Sequence, residues 1–493
     1  MIPLSFAQRR LWFIHRLEGP SPTYNMAAPL RLVGDLDVDA MREAVRDVVT
    51  RHETLRTLYA EDAEGTPFQR IVPAGDVPVE LPVLDTEPHE VEHRVRELVT
   101  HCFDLTKGEF PLRTTVLRCG PRDHVLVLAV HHIAADGGSA APLARDLVTA
   151  YAARREGRAP GWADLPVQYK DYTLWQRELL GDEDDPDSVA AGQVSYWRDE
   201  LAGVVQPTRL PLDRPRPPVA GHHGDLYEFK AEPRLMAGLE KLAAERGATV
   251  SMAVQAAIAV LLHRLGAGDD LTIGSPIAGR VDEALADLVG CFVNTWVLRL
   301  DLSGEPSFSD LLRQTRSKAL AAYDNQDIPF DRLVEVLNPE RSTSYQPLFQ
   351  VMTEWQTSAQ ATEFFSLAGL EVSFLPLQTE SAKFDLLFSM GVDTGGGMHC
   401  SIQYATDLFH RRTIEAMGDR FLRVLEQVVD DPYAPVRSVD VLSGGEWEWL
   451  VRGVNDTGGR VPVGTLVSAF EERVACDPGR VALVFEGESL TYG

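Results

Sequence analysis

The run HVLVLAVHHIAADGGS, residues 124–139, ends an apolar Val- and Leu-rich stretch with two histidines, then supplies a carboxylate, two glycines and a serine. Asp123 to Val130 reads as a buried strand, Gly138 to Arg154 as a helix, and His131 to Gly137 as their connection. Such a junction suits proton chemistry. A strand end holds the backbone rigidly, and a helix start presents unbonded N–H groups that favour negative charge. Imidazole titrates closest to neutrality, so His131 and His132 are candidates to accept and donate protons. Gly137 and Gly138 would let another chain or a substrate arm approach the backbone closely. Each residue also has an ordinary structural role open to it. His131 can follow the strand inward into the core, and Asp136 can hold a loop or pair with an arginine. The whole HHxxxDG string at a strand–loop–helix junction favours function over that reading.

The surrounding elements must position this junction. Ser5 to Leu17 reads as an amphipathic helix, with Ala7, Leu11, Ile14 and Leu17 on one face. Leu30 to Leu36 reads as a strand and Asp37 to His52 as a helix. Two breaks follow: the acidic segment Gly181 to Ser188 and the Pro-rich segment Pro211 to Gly224. Beyond them, Glu232 to Arg246, Ser251 to Leu265, Phe308 to Tyr323 and Arg411 to Val429 read as helices. Leu271 to Ser275, Phe292 to Leu302, Phe384 to Val392 and Met398 to Tyr404 read as strands. The two halves share a rough order of elements, a hint of two related lobes. From about Ser443 the character changes to a loop (VNDTGGRVPVG), a helix (Leu466 to Ala475) and a hairpin-like VALVFEGESLTYG.

Totals narrow the function classes. A chain of 493 residues implies two or three globular units. A net charge of −26 makes a polyanion partner such as nucleic acid a poor fit. No stretch of eighteen apolar residues is present, so no membrane span is expected, and the N-terminus shows no secretion signal. The five cysteines (Cys102, Cys119, Cys291, Cys400, Cys476) are scattered, with no C-x-x-C pair. That argues against a disulfide framework or a zinc knuckle and points to a reducing cytoplasm. A zinc hydrolase built on His131, His132 and Asp136 is disfavoured because adjacent strand residues face opposite ways. A serine hydrolase is disfavoured because no G-x-S-x-G occurs.

HHxxxDG is also the signature of the condensation domains of non-ribosomal peptide synthetases, and the rest of the chain resembles that family in order. SFAQRRLW (from Ser5), RHETLRTLY (from Arg51), YKDYTLW (from Tyr169), VGCFVNT (from Val289), NQDIPFD (from Asn325) and, more loosely, RSTSYQPL (from Arg341) resemble its other motifs. The resemblance covers roughly residues 3 to 440. It implies an α/β fold of two chloramphenicol-acetyltransferase-like lobes in a V-shaped pseudo-dimer, here 1–180 and 181–442, with the active site between them. It implies amide formation between a donor peptidyl or acyl thioester and an acceptor aminoacyl thioester. Both would ride on phosphopantetheine arms of upstream and downstream carrier proteins, with no cofactor or metal held by this chain.

On that resemblance His132 orients the attacking amine and shuttles its proton, and the Gly137 N–H at the helix start serves the oxyanion. Asp136 is expected to be structural, paired with Arg280. Gly138, Ser139 and Asn294 are candidates to line the substrate tunnel, Asn294 equally being a strand residue satisfied by backbone. Where the family usually has a large aromatic after DG, this chain has Gly138, which is expected to open space or add flexibility near the acceptor arm. LEGPSPTYN and HHIAADGGSAAPLARDL resemble the subtype whose donor ends in a D-residue. Residues 443–493 resemble a linker and the truncated start of an adenylation domain, with only its first motif, ending in Leu490, Thr491 and Tyr492. Epimerisation and cyclisation domains fit less well, given NQDIPFD and the absence of a paired-Asp motif. The non-enzyme alternative is a degenerate condensation domain that recruits a tailoring oxidase. Such domains usually lose the second histidine, and His132 is kept.

Overall fold

Helix Phe6–Glu18 begins where Ser5 closes a reciprocal cap: its hydroxyl accepts the Gln8 N–H, and the Gln8 side chain accepts the Ser5 N–H, both at 3.1 Å. Leu11 and Trp12 turn into the core and Phe13 and Leu17 into solvent. The structure is a computed structural model that describes residues 1–356, 367–375, 381–459 and 463–493. Residues 460–462 of the loop expected before Gly464 lie outside the described residues. The chain divides into two compact units, Met1–Val441 and Leu442–Gly493.

Among the described residues the larger unit contains a five-stranded and a six-stranded sheet with helices packed on them, the mixed α/β architecture of two acetyltransferase-like lobes, and a small third sheet of Ile2–Pro3, Pro67–Ile71 and Thr57–Glu61. In the first lobe the central strand is Asp123–His131, flanked antiparallel by Asn25–Gly34 and Leu112–Gly120. Val83–Asp85 closes one edge of this sheet. The central strand is buried from His124 to His131, which is why its sequence is a near-continuous apolar run rather than an alternating one. Leu126, Leu128 and Val130 join the main core with helices Val38–Arg51 and Ala140–Arg155, while Val125 and Val127 pack against Val95 of helix Val91–Val99.

The second lobe has six strands in the order Asn294–Asp301, Asp270–Ile277, Val351–Gln356, Leu386–Val392, Met398–Ala405, Gly224–Ala231. Helix Val250–Arg264 is buried from Met252 to Leu262 and lies at the centre of that lobe's core. Its lack of a polar face is the mark of a helix with no solvent side. Strand Leu370–Phe374 belongs by sequence to the second half of the chain, yet it pairs antiparallel with Asn25–Gly34 and so completes the first lobe's sheet. Among the described residues no helix is long and apolar enough to cross a membrane.

The smaller unit holds a short helix, Gly444–Glu448, a helix, Leu466–Cys476, and a hairpin of Val481–Phe485 with Glu488–Thr491. Phe470 and Tyr492 pack together within it, their ring centroids 5.5 Å apart.

Candidate active site

His131 and His132 leave the central strand into different surroundings. His131 is 2% exposed. Its Nδ1 accepts the Ile133 N–H at 3.1 Å, so the ring proton sits on Nε2. Phe103 and His15 meet it edge-on, at 5.9 and 6.4 Å between centroids. Burial, with smaller contributions from His15, His132 and Lys383, pushes its pKa down to about 3. Expected among the catalytic residues, His131 is instead a neutral core residue, enclosed by Phe103 and His15 and with its Nδ1 spent on the Ile133 N–H.

His132 is half-buried, and its backbone N–H donates to the Tyr24 carbonyl at 2.8 Å. Its Nδ1 lies 3.9 Å from the Cys291 sulfur, and among the described residues its Nε2 has no partner. Burial first, then the Lys383 charge, lowers its pKa to about 4, with Asp136 opposing. At neutral pH the imidazole is therefore uncharged and has a lone pair to offer. The two rings cannot share one metal ion, since one is in the core and the other faces out of it.

Asp136 is 1% exposed and holds the turn that follows. Its carboxylate accepts the Ser139 N–H at 3.0 Å, the Ser139 hydroxyl at 2.8 Å and the Phe292 N–H at 2.8 Å. Arg280, the partner expected from the sequence, grips it with both guanidinium ends at 2.9 Å, so its capacity is spent on structure and none is left for substrate. Arg280 also donates to Ser139 Oγ and the Leu288 carbonyl and stacks 4.2 Å over the Phe292 ring. The site loop of the first lobe is thus bolted to residues 280–292 of the second.

The tunnel candidates need correction. Ser139 is buried, and its hydroxyl bonds with Asp136, Gly290 and Arg280. The Asn294 amide donates to the carbonyls of Gln326 and Ile328 at 2.9 and 2.7 Å and accepts from the N–H groups of Thr295 and Phe330. It clamps the NQDIPFD segment and has nothing left for substrate. Gly138 does not open space: a Cβ there would lie 2.5 Å from Arg280 Nη1, so the guanidinium fills the place of the missing side chain. Gly137 has nothing within 4 Å of such a position, and among the described residues neither the Gly137 nor the Gly138 N–H is bonded.

The other motifs act as a frame. Gln8 donates to the Ile133 carbonyl just beyond His132, at 3.3 Å. Ser5 Oγ meets Tyr169 Oη at 2.7 Å, and Tyr169 donates to the Cys291 carbonyl at 2.5 Å. Lys383 and Glu354 escaped the sequence reading altogether; no motif marks either, and only the fold brings Lys383 near His132 and Glu354 near Lys383.

A family model described as "Condensation domain" matches residues 1–451. The chain is 50% identical over 489 residues to CymA of Salinispora arenicola, a probable non-canonical nonribosomal peptide synthetase, covering 99% of this chain and 6% of that protein. It is 46% identical over 496 residues to a dimodular nonribosomal peptide synthase of Bacillus subtilis, covering 100% of this chain and 21% of that protein. Among solved structures, the X-domain from teicoplanin biosynthesis superposes with a TM-score of 0.82 at 35% identity, over 90% of this chain and 98% of that one. A four-domain nonribosomal peptide synthetase bound to AMP and glycine gives 0.86 at 23% identity, over 100% of this chain and 37% of that one.

Proposed function

Because this chain belongs to the condensation-domain family of nonribosomal peptide synthetases, we propose that it joins a donor acyl or peptidyl thioester to an acceptor aminoacyl thioester. Both substrates arrive on phosphopantetheine arms of carrier proteins. The acceptor nitrogen attacks the thioester carbon, the C–S bond breaks, and a proton passes from nitrogen to the departing sulfur. The observation that carries the reading is His132: a half-buried, neutral imidazole whose Nε2 is unengaged among the described residues, on the same loop as the unbonded N–H groups of Gly137 and Gly138.

Those groups divide the work. An imidazole with a pKa of about 4 is a weak base, but it accepts a hydrogen bond from the amine and relays the far more acidic proton of the tetrahedral intermediate. The Gly137 N–H is the donor for the oxyanion. Holding two tethered reactants in attack geometry supplies ~7–11 kcal/mol of the barrier, and proton transfer adds ~10²–10⁴-fold. Placement of the substrates therefore outweighs base strength.

The donor is read as ending in a D-residue. The segment 443–493 is read as the opening of an adenylation domain, which would place that activity next in the synthetase. The test loads a donor carrier with a dipeptide ending in an L- or D-residue and an acceptor carrier with an amino acid, then follows product by mass spectrometry. Peptide formation that disappears in His132→Ala supports the reading, and turnover that survives the substitution overturns it. Equal rates with both donors remove the stereochemical part.

The likeness to the X-domain from teicoplanin biosynthesis, which is also solved in complex with OxyB, favours one second reading: a domain that recruits a tailoring oxidase without forming a bond. Tight oxidase binding with no peptide from any loaded pair would select it.

A further inference from the structure

Lys383 comes just before strand Leu386–Val392 of the second lobe, yet its Nζ lies 4.7 Å from the centre of the Tyr24 ring in the first. The Tyr24 carbonyl holds the His132 backbone. The ammonium therefore stands against the residue that supports the candidate proton carrier. Among the described residues Lys383 has no hydrogen bond, and no carboxylate lies within 4.0 Å of it.

Among the described residues no acid in this space forms a direct ion pair with Lys383, and Glu354 offsets its charge only in part. From helix Phe6–Glu18 comes a second cation, Arg10, whose nearest acid is Asp331 at 3.7 Å. Glu354, on strand Val351–Gln356, accepts from Ser389 at 3.5 Å, and burial raises its pKa, as it does that of Asp331. Asp136 is held by Arg280, and burial keeps the Cys291 thiol protonated. Burial, then Arg10, lowers the pKa of Lys383 to about 8, which still leaves it mostly charged at neutral pH. The Lys383 charge is felt at His132, His131 and Cys291 alike.

We propose, on the amide-forming reading above, that Lys383 keeps the attacking amine uncharged: its unpaired ammonium disfavours a second positive charge beside His132, so an acceptor α-ammonium arriving there releases its proton to water before attack. Lys383 touches no reacting atom in this scheme and works through the field alone. The direction follows from like charges. An α-amino group has an ordinary pKa of ~7.7–8.0, and a neighbouring cation lowers it. The effect is present while Lys383 is protonated and fades above about pH 8. A unit charge at roughly 10 Å in a partly buried site moves a neighbour by about one pKa unit, a tenfold change in its neutral fraction.

Single-turnover condensation is measured from pH 5.5 to 9 with loaded donor and acceptor carriers, for the wild type, Lys383→Met and Lys383→Arg. The His132 imidazole is titrated by NMR in the carrier-free chain, with His132→Ala giving the assignment. Lys383→Met is expected to run about tenfold slower than wild type at pH 6 and to converge with it by pH 9. Lys383→Arg should keep the acid-side rate, and in Lys383→Met the His132 midpoint should move up toward 5. A rate ratio that does not vary with pH, an unmoved His132 midpoint, or an acid-side loss in Lys383→Arg equal to that in Lys383→Met would each overturn the proposal. If Lys383→Met does not fold, the Lys383→Arg profile decides alone. A wild-type chain that forms no peptide at any pH overturns the condensation reading instead, and the NMR titration still judges the field of Lys383.

Discussion

Asp136→Ala separates a residue that holds the loop from one that acts on substrate. The carboxylate is 1% exposed, and the guanidinium side chain that grips it is 10% exposed. Removing it leaves Arg280 without a carboxylate among the described residues, holding Ser139 and the Leu288 carbonyl and lying over the Phe292 ring, and strands the Phe292 N–H. Breaking a buried ion pair from one side costs ~3–5 kcal/mol, and an orphaned buried N–H ~1–3 kcal/mol. The two overlap, since the loop relaxes once for both, so about 4 kcal/mol is expected from urea unfolding followed by tryptophan fluorescence. That is a large share of a typical domain's ~5–15 kcal/mol. Asp136→Asn keeps one acceptor oxygen and should lose roughly half as much. Asp136→Ala with Arg280→Met removes both charges and should be milder than the sum of the single changes by ~1 kcal/mol or more. An Asp136→Ala chain that unfolds at the wild-type urea midpoint while losing peptide formation would refute the reasoning and return the carboxylate to the chemistry.

Four further outcomes are expected. His132→Ala should lower condensation by about 10² or more at an unchanged urea midpoint, and a large fall in stability would show that the ring is structural. Gly138→Ala, whose methyl would meet Arg280, should cost ~1–3 kcal/mol, whereas Gly137→Ala, with open space around it, should be near neutral; equal effects in a melting comparison would contradict the packing. Asn294→Ala should loosen the 326–330 segment, read as faster local hydrogen exchange there, and unchanged exchange would contradict the clamp. Stability should fall with acid: His131 and His132 have folded pKa values of about 3 and 4, below the unfolded ~6.5, so the unfolded chain binds protons first as pH drops below about 6.5. Each ring contributes up to ~1.4 kcal/mol per pH unit until its folded pKa is passed. His131→Gln should flatten that slope, and a flat wild-type profile between pH 6.5 and 4.5 would speak against both shifts.

Much of this architecture was legible because its causes are local. The apolar run before His131, the helical stretch from Asp37 and the long amphipathic pattern from Arg411 each specify an element within a residue or two of where it lies. What escaped depends on distant partners. LEVSF at 370–374 is too short and too half-exposed to announce itself as a strand, and its partner lies more than three hundred positions earlier. Gly138 reads locally as permissive space, but Arg280, remote in sequence, occupies it. Asn294 admitted two readings until four hydrogen bonds fixed one of them. Lys383 carries no motif because its importance is electrostatic and arises only where two lobes bring cations near one imidazole.

The strand lent by residues 370–374 has a consequence for anyone who would divide this protein. A piece ending near residue 180 would bare the Asn25–Gly34 edge, with its main-chain donors and acceptors unsatisfied beside the buried Leu30 and Leu32. Such a fragment should self-associate on gel filtration unless a peptide carrying LEVSF is supplied in trans. Excision between the halves is therefore better planned as a split that keeps that peptide with the first piece than as a cut at the apparent lobe boundary.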